Sequence, residues 1–241
     1  MMLKDAVLIT GAGQRIGLYL AKQFLAQGQL VVFTYRTERP AVDDLKAQGA
    51  LGFQVDFTDS AALNVFLDEL PKHVESLRAV IHNASLWATD AQVDAQPGLL
   101  GDLLAVHVEA PYRINQACRS LLEKTSAATT DIISLTDIKV ASGHADYAAY
   151  LASKAGLASL TQSFAQAFAP RIKVNNIAPG LVIFHPEDSE AYRQKRLAES
   201  VIPVEPGEVS IWQAVQFLMH SPNATGSTVS LGSLKSSKSS P

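Results

Sequence analysis

Thr10-Gly11-Ala12-Gly13-Gln14-Arg15-Ile16-Gly17 is the stretch on which the fold turns. It follows an apolar run, Ala6–Thr10, that suits a short buried strand. It opens a segment, Ile16–Gln27, in which Ile16, Leu20, Phe24 and Leu25 recur on one helical stripe. Strand, glycine turn and helix in that order let a backbone approach a pyrophosphate, while the helix N-terminus attracts its charge. A glycine-rich turn of this kind also occurs as a tight turn without a ligand, so its neighbours must decide.

Outward from the turn, β-rich runs alternate with longer helical stretches. Strands are expected at Leu30–Tyr35, Leu51–Asp56, Ala79–His82, Asp131–Leu135, Lys173–Ala178 and Thr228–Leu231, besides the first. Helices are expected at Ala61–Val74, Leu99–Lys124, Tyr147–Phe168 and Val209–His220, besides the first. This alternation predicts a single α/β domain over residues 1–233, a Rossmann-type doubly wound sheet of about seven parallel strands with helices on both faces. The last eight residues, 234–241, form a Lys/Ser tail too polar to pack and are expected to be disordered.

A chain of 241 residues suits one such domain. With 47% apolar and 18% charged residues it can build a large core. Twenty basic and twenty-three acidic residues give a net charge of −3, which provides no field for nucleic acid. The lone Cys118 and six scattered histidines offer neither a disulfide nor a metal site, as suits a reduced cytoplasm. No run approaches the ~20 apolar residues of a membrane span, and the opening Ala6–Ile9 is too short for a secretory core.

The second strand bears on the cofactor. Where an acid would hold ribose hydroxyls, it ends in Thr34-Tyr35-Arg36-Thr37, and Arg36 favours NADPH by accepting a 2′-phosphate, unless it is only a solvated charge. Tyr150 and Lys154 stand four apart on one helical face, where an ammonium would draw a phenol's pKa from ~10 toward neutrality. They follow the fifth strand, whose end carries Ser134-Leu135-Thr136-Asp137. Asp137 there either positions substrate and relays a proton or caps a helix.

Together these motifs resemble the short-chain dehydrogenase/reductase family from Thr10 to about Gly232. The Gly11/Gly17 turn, Asp56, Asn83-Ala84, Tyr150/Lys154 and Pro179-Gly180 arrive in the family's order. Arg15 at the usual middle glycine, Ser85 after Asn83-Ala84 and Asp137 thirteen residues before Tyr150 are similar to the pteridine reductase branch, the bacterial dihydromonapterin reductases above all. The resemblance implies NADPH held along Gly11, Gln14, Arg15, Ile16, Tyr35, Arg36, Thr37, Asp56, Phe57, Asn83, Ala84, Tyr150, Lys154, Pro179 and Gly180. It implies proton transfer through Asp137 and Tyr150, and a pterin met by Arg15, Ser85, Trp87, Asp137 and Tyr150. The expected reaction is NADPH-dependent reduction of a 7,8-dihydropterin by a homotetramer, hydride going to C6 and a proton to N5. A carbonyl reductase, which would prefer a hydroxyl at Asp137, and a non-catalytic NADPH-binding module are the alternatives.

Two positions depart from the family. His107 replaces an asparagine that supports the active-site lysine through water, so imidazole either substitutes for it or merely packs. Ser230-Leu231-Gly232-Ser233 replaces a common Asp-Gly-Gly. Trp87 reads as a stacking platform or a core residue, and 187–200 as a substrate lid or a surface helix.

Overall fold

The computed structural model describes residues 2–232; the polar tail expected at 234–241 lies outside them. Its centre is one seven-stranded parallel sheet: β1 (Ala6–Ile9), β2 (Val31–Tyr35), β3 (Leu51–Gln54), β4 (Leu77–His82), β5 (Thr130–Leu135), β6 (Ile172–Pro179) and β7 (Thr228–Leu231), ordered β3-β2-β1-β4-β5-β6-β7. The chain runs outward from β1 to β3 and then returns to pair β4 with β1. That reversal opens a crevice at the strand C-terminal ends, where open α/β sheets take ligands.

Side chains alternate across each strand, and the alternation builds two cores. Leu8, Val32, Val80, Ile132 and Val174 face Phe66 and Leu70 of α3 (Ser60–His73), Ile114 and Cys118 of α6 (Ala110–Glu123) and Phe164 of α7 (Ala148–Phe168). Val7, Ile9, Phe33, Ile81, Ile133 and Ile177 face Leu20 and Phe24 of α1 (Arg15–Ala26), Leu45 of α2 (Pro40–Ala47) and Ile211 and Leu218 of α9 (Val209–His220). Each such side chain taken fully from water contributes about 1.5–3 kcal/mol, which anchors the strands whose tips carry the site.

The segment Leu99–Lys124 is not one α-helix. It runs as α5 (Leu99–Leu104), a π turn over Ala105–Glu109, and α6, and the turn shows in the Ala110 amide donating to the Ala105 carbonyl five residues back. Val108 is thereby pressed against Gly156 of α7, where a Cβ would lie 2.7 Å from a Val108 methyl. Two further elements arise where sequence periodicity is silent. Helix α2 starts on Pro40 at its first position, and α4 (Asp90–Ala95) starts on a capping box between Thr89 and Gln92. Segment 187–200 contains α8 (Glu190–Ala198), which buries none of its residues.

At the opposite end of the sheet from the crevice, Asp131 is fully buried between Arg78 at 2.5 Å and Lys173 at 3.0 Å. Lys173 spends its hydrogen bonds on the carbonyls of Leu218 and Ser221 at the end of α9, so it meets Asp131 chiefly as charge. Among the described residues no helix is long and apolar enough to cross a membrane. Nor does any group of histidine, cysteine and carboxylate side chains have the makings of a metal site.

Candidate active site

The glycine turn is braced from both neighbouring strands. The Thr34 hydroxyl accepts from the Gly11 amide at 3.1 Å, and the Thr34 carbonyl accepts from the Ala12 amide at 2.9 Å. From the other side the Thr10 hydroxyl accepts from the amides of Asn83 and Ala84, both at 3.0 Å. The Asn83 side-chain amide donates to the carbonyls of Thr10 and Gly11, so it shapes the turn from within. Glycine is required at two positions: a Cβ on Gly11, with φ of +68°, would sit 2.7 Å from the Ala84 Cα, and one on Gly17 would sit 2.4 Å from the Asn83 amide nitrogen. The helix N-cap, Gln14, makes no side-chain cap bond to the first amides of α1. A tight backbone cradle opening onto such a helix start fits a dinucleotide pyrophosphate.

Around this cradle the other cofactor candidates divide. Gln14, Arg15, Arg36 and Thr37 are exposed at its rim, with Ile16 half-buried. Arg15, in left-handed backbone at φ of 51°, sends its guanidinium to the carbonyl of Ile183 at 3.2 Å, linking the turn to the segment that leads to α8. Asp56 stands just beyond β3 with one carboxylate oxygen held by the amide and hydroxyl of Thr58. Two side chains point elsewhere. Tyr35 is buried, with its hydroxyl on Glu38 at 2.7 Å, and the Phe57 ring belongs to the core. The Gly180 amide donates to the Leu231 carbonyl at 2.6 Å, so the end of β7 supports Pro179-Gly180 despite its unusual sequence.

Asp137, Tyr150 and Lys154 do come together. Asp137 caps the 3₁₀ turn Ile138–Ala141 by accepting the Lys139 amide on Oδ1 at 2.7 Å, while its Oδ2 faces the Tyr150 hydroxyl at 3.4 Å. The two alternatives for this residue, cap and site carboxylate, are therefore both realised. Lys154 is buried, donates to the Leu135 carbonyl at 2.9 Å, and lies 5.9 Å from the centre of the Tyr150 ring. The expected downward pull on the phenol is overturned. Burial first, then the Asp137 charge and its hydrogen bond, push the Tyr150 pKa well above its usual value, against a smaller opposing contact from Ser85. Lys154 is lowered to about 8 by burial, which Asp137 partly offsets.

Trp87 is 56% exposed and tilted against Tyr147 at 5.3 Å, and Tyr147 in turn stacks on His144 at 4.6 Å. It is no core residue. Tyr147 is a site neighbour that spacing alone does not reveal. Asp90 of α4 accepts the Ala148 and Ala149 amides at 2.8 and 3.0 Å, and these bonds lower its pKa; they tie the start of α7, and so Tyr150, to the loop bearing Trp87. None of the hydrogen bonds of His107 goes to Lys154. They run to Ser85, Leu86 and Ser153.

This fold and this Tyr–Lys pair define a class of dehydrogenase, and residues 5–191 match the short chain dehydrogenase family model. The chain belongs to that family and is an oxidoreductase working with a nicotinamide cofactor. It is 43% identical over 91% of its length to a dihydromonapterin reductase of Klebsiella pneumoniae, covering 92% of that protein. The identity is 41% to one of Escherichia coli, again over 91% of this chain and 92% of the other. Among solved structures, an apo SCOR enzyme of Clostridium thermocellum superposes with a TM-score of 0.83 at 25% identity over 95% of this chain and 91% of the other. FolM alternative dihydrofolate reductase 1 of Brucella canis, solved with NADP, superposes with a TM-score of 0.84 at 20% identity over 99% of both chains, a likeness of fold.

Proposed function

We propose that the protein reduces a 7,8-dihydropterin to its tetrahydro form with NADPH. The observation that carries this reading is a carboxylate, Asp137, facing the hydroxyl of Tyr150 at 3.4 Å in a crevice flanked by an exposed tryptophan. The 41–43% identity to dihydromonapterin reductases supports it. When bound, NADPH supplies the hydride for C6. Burial and the Asp137 charge keep the Tyr150 hydroxyl protonated, which suits a group that must give a proton to N5 rather than begin as a phenolate. Asp137 orients that hydroxyl and can pass on the replacing proton. Lys154 holds the floor of the site through Leu135, and this reading assigns its ammonium to the ribose hydroxyls.

Arg36, exposed beyond β2, is the residue assigned to the 2′-phosphate, and Arg15, Ser85 and Trp87 are those assigned to the pterin. The same reading takes the working unit as a homotetramer, supported by Leu100, Leu104 and Tyr112 standing exposed on the helices beside the site. Sedimentation equilibrium checks the assembly: four chains are expected, and a monomer would sink it. Activity is tested by following NADPH oxidation with dihydromonapterin, dihydrofolate, dihydrobiopterin and a simple ketone in parallel. Turnover of a dihydropterin well above that of the ketone is expected. Ketone turnover in its place would make the enzyme a carbonyl reductase.

A further inference from the structure

Helix α7, which carries Tyr150 and Lys154, has no cap of its own. Its N-cap residue, Tyr147, makes no side-chain cap bond, and its first turn holds no acidic side chain. The first amides of a helix have no partner within it and must find one elsewhere. Asp90 of α4 supplies that partner: its Oδ2 accepts the Ala148 amide at 2.8 Å and its Oδ1 accepts the Ala149 amide at 3.0 Å. The Asp90 amide in turn donates to the Asp146 carbonyl at 2.9 Å. The carboxylate is available for this duty because α4 is capped by its own neighbours. Thr89 Oγ1 accepts the Gln92 amide at 3.2 Å, and Gln92 Oε1 accepts the Thr89 amide at 2.9 Å. A negative charge beside the first turn of α7 also meets the positive end of that helix's dipole.

Tyr150 and Lys154 are held in different ways. Lys154, one turn further along α7, is buried and fixed by its own bond to the Leu135 carbonyl at 2.9 Å. Tyr150 directly follows Ala149, and its hydroxyl has to meet Asp137, the cap of a turn on another element. The polar bonds at its end of the helix lead to Asp90. Packing runs the same way, since Ala88, Leu103, Tyr150 and Leu151 share a small core with Leu86 and Val93 at its margin. Trp87 stands three residues before Asp90 and leans on Tyr147, so the exposed indole and the phenol are both referred to this one carboxylate.

We propose that Asp90 is a positioning residue that sets the Tyr150 hydroxyl in the crevice by capping α7 from outside the helix. This rests on the reading of Tyr150 as the proton donor, whereas the cap itself rests on the geometry of this chain. Proton transfer has a short reach, and a displacement of about 1 Å can cost about 10²-fold in rate. A first turn released from Asp90 therefore lowers turnover. The bond of Lys154 to Leu135 and the bracing of the glycine turn do not involve Asp90, so NADPH affinity holds.

Substitutions at Asp90 test this on the full-length protein. Asp90→Asn keeps the size of the side chain but has one oxygen for two amides, and Asp90→Ala has none. Turnover is followed with dihydromonapterin, or with the simple ketone should that be the compound reduced, at a temperature well below each variant's melting point. Asp90→Asn should lower kcat about ten-fold and Asp90→Ala at least as much, while the NADPH dissociation constant, read by nicotinamide fluorescence, stays within about two-fold. Asp90→Asn decides alone if Asp90→Ala does not fold. A lower melting temperature with wild-type kcat makes Asp90 a stabilising cap only and overturns the proposal, and so does an NADPH affinity that falls as far as kcat. The second arm is a double-mutant cycle. In a Tyr150→Phe background, Asp90→Asn should cost less than about two-fold of the residual turnover, because the group it positions is gone. Losses that multiply overturn action through Tyr150 and leave the proton-donor reading standing. Full turnover in Tyr150→Phe alone would sink that reading and the proposal with it.

Discussion

The hydroxyl of Tyr150 lies 3.4 Å from one oxygen of Asp137 while the other oxygen of Asp137 holds the Lys139 amide at 2.7 Å. One carboxylate thus serves a turn and a phenol, and substitutions can separate the two duties. Asp137→Asn keeps an oxygen for the cap but removes the charge, so it should leave thermal stability nearly unchanged and cut turnover at least ten-fold. Asp137→Ala should lose, in addition, about 1 kcal/mol of capping. Tyr150→Phe, which keeps the ring and deletes the hydroxyl, should lower turnover by about 10²-fold with NADPH affinity retained. Full pterin turnover in Asp137→Ser would show that the carboxylate is structural.

Cofactor choice is carried by Arg36, exposed beyond the tip of β2. A charge-assisted contact with a phosphate contributes about 1.5–3 kcal/mol, so Arg36→Ala should raise the NADPH Michaelis constant about ten-fold or more and leave NADH kinetics nearly as they were. Equal losses with both cofactors would contradict the assignment.

Trp87, exposed and leaning on Tyr147, offers a face to a flat ring. Its removal costs little core, so Trp87→Ala should fold with an unaltered melting temperature. Lost stacking and contact area should weaken dihydropterin binding about ten-fold, and Trp87→Phe should restore much of it. A dihydropterin Michaelis constant unmoved by Trp87→Ala would end the stacking assignment.

Acid stability should report on His82. Its ring is buried, donates through Nε2 to Asn115 at 2.7 Å, and has its pKa lowered to about 4 by burial. Free histidine titrates near ~6.5, so between those values the unfolded chain takes up a proton that the folded chain refuses. Stability from this group is complete above the upper value and is lost as pH falls toward 4, at about 1.4 kcal/mol per pH unit. Urea titrations at pH values across this window check the slope, which should flatten in His82→Gln.

The strands and the long helices were legible because burial on both faces demands unbroken apolar runs such as Ala6–Ile9 and Val31–Tyr35, and amphipathic stripes such as that of α1. Helices α2 and α4 escaped because they are short. The first buries only Val42 and Leu45 and the second buries nothing, so periodicity had little to register; the Thr89 and Gln92 capping box was the available signal for α4. Tyr150, Lys154 and Asp137 were legible as a group through spacing and strand ends. The reversed electrostatics at Tyr150 was not, because it depends on how deeply the phenol is buried and on the Asp137 charge beside its hydroxyl. Asn83 was read as a cofactor contact from its motif, while the donation of its side-chain amide to the turn carbonyls of Thr10 and Gly11 needed the fold to be seen.

The π turn at Ala105–Glu109 makes helix length itself part of the site's specification. One residue more than an α-helix needs rotates everything after Glu109 by about 100° about the helix axis. The stripe Ile114, Cys118, Leu121 and Leu122 faces the sheet only because of that rotation, while His107 reaches Ser85, Leu86 and Ser153 from within the turn itself. Deleting a single residue there would let the helix heal into regular geometry and turn either the core stripe or the imidazole away from its partners. In this segment a one-residue gap between relatives would therefore carry more functional meaning than most substitutions, although it falls in a helix rather than in a loop.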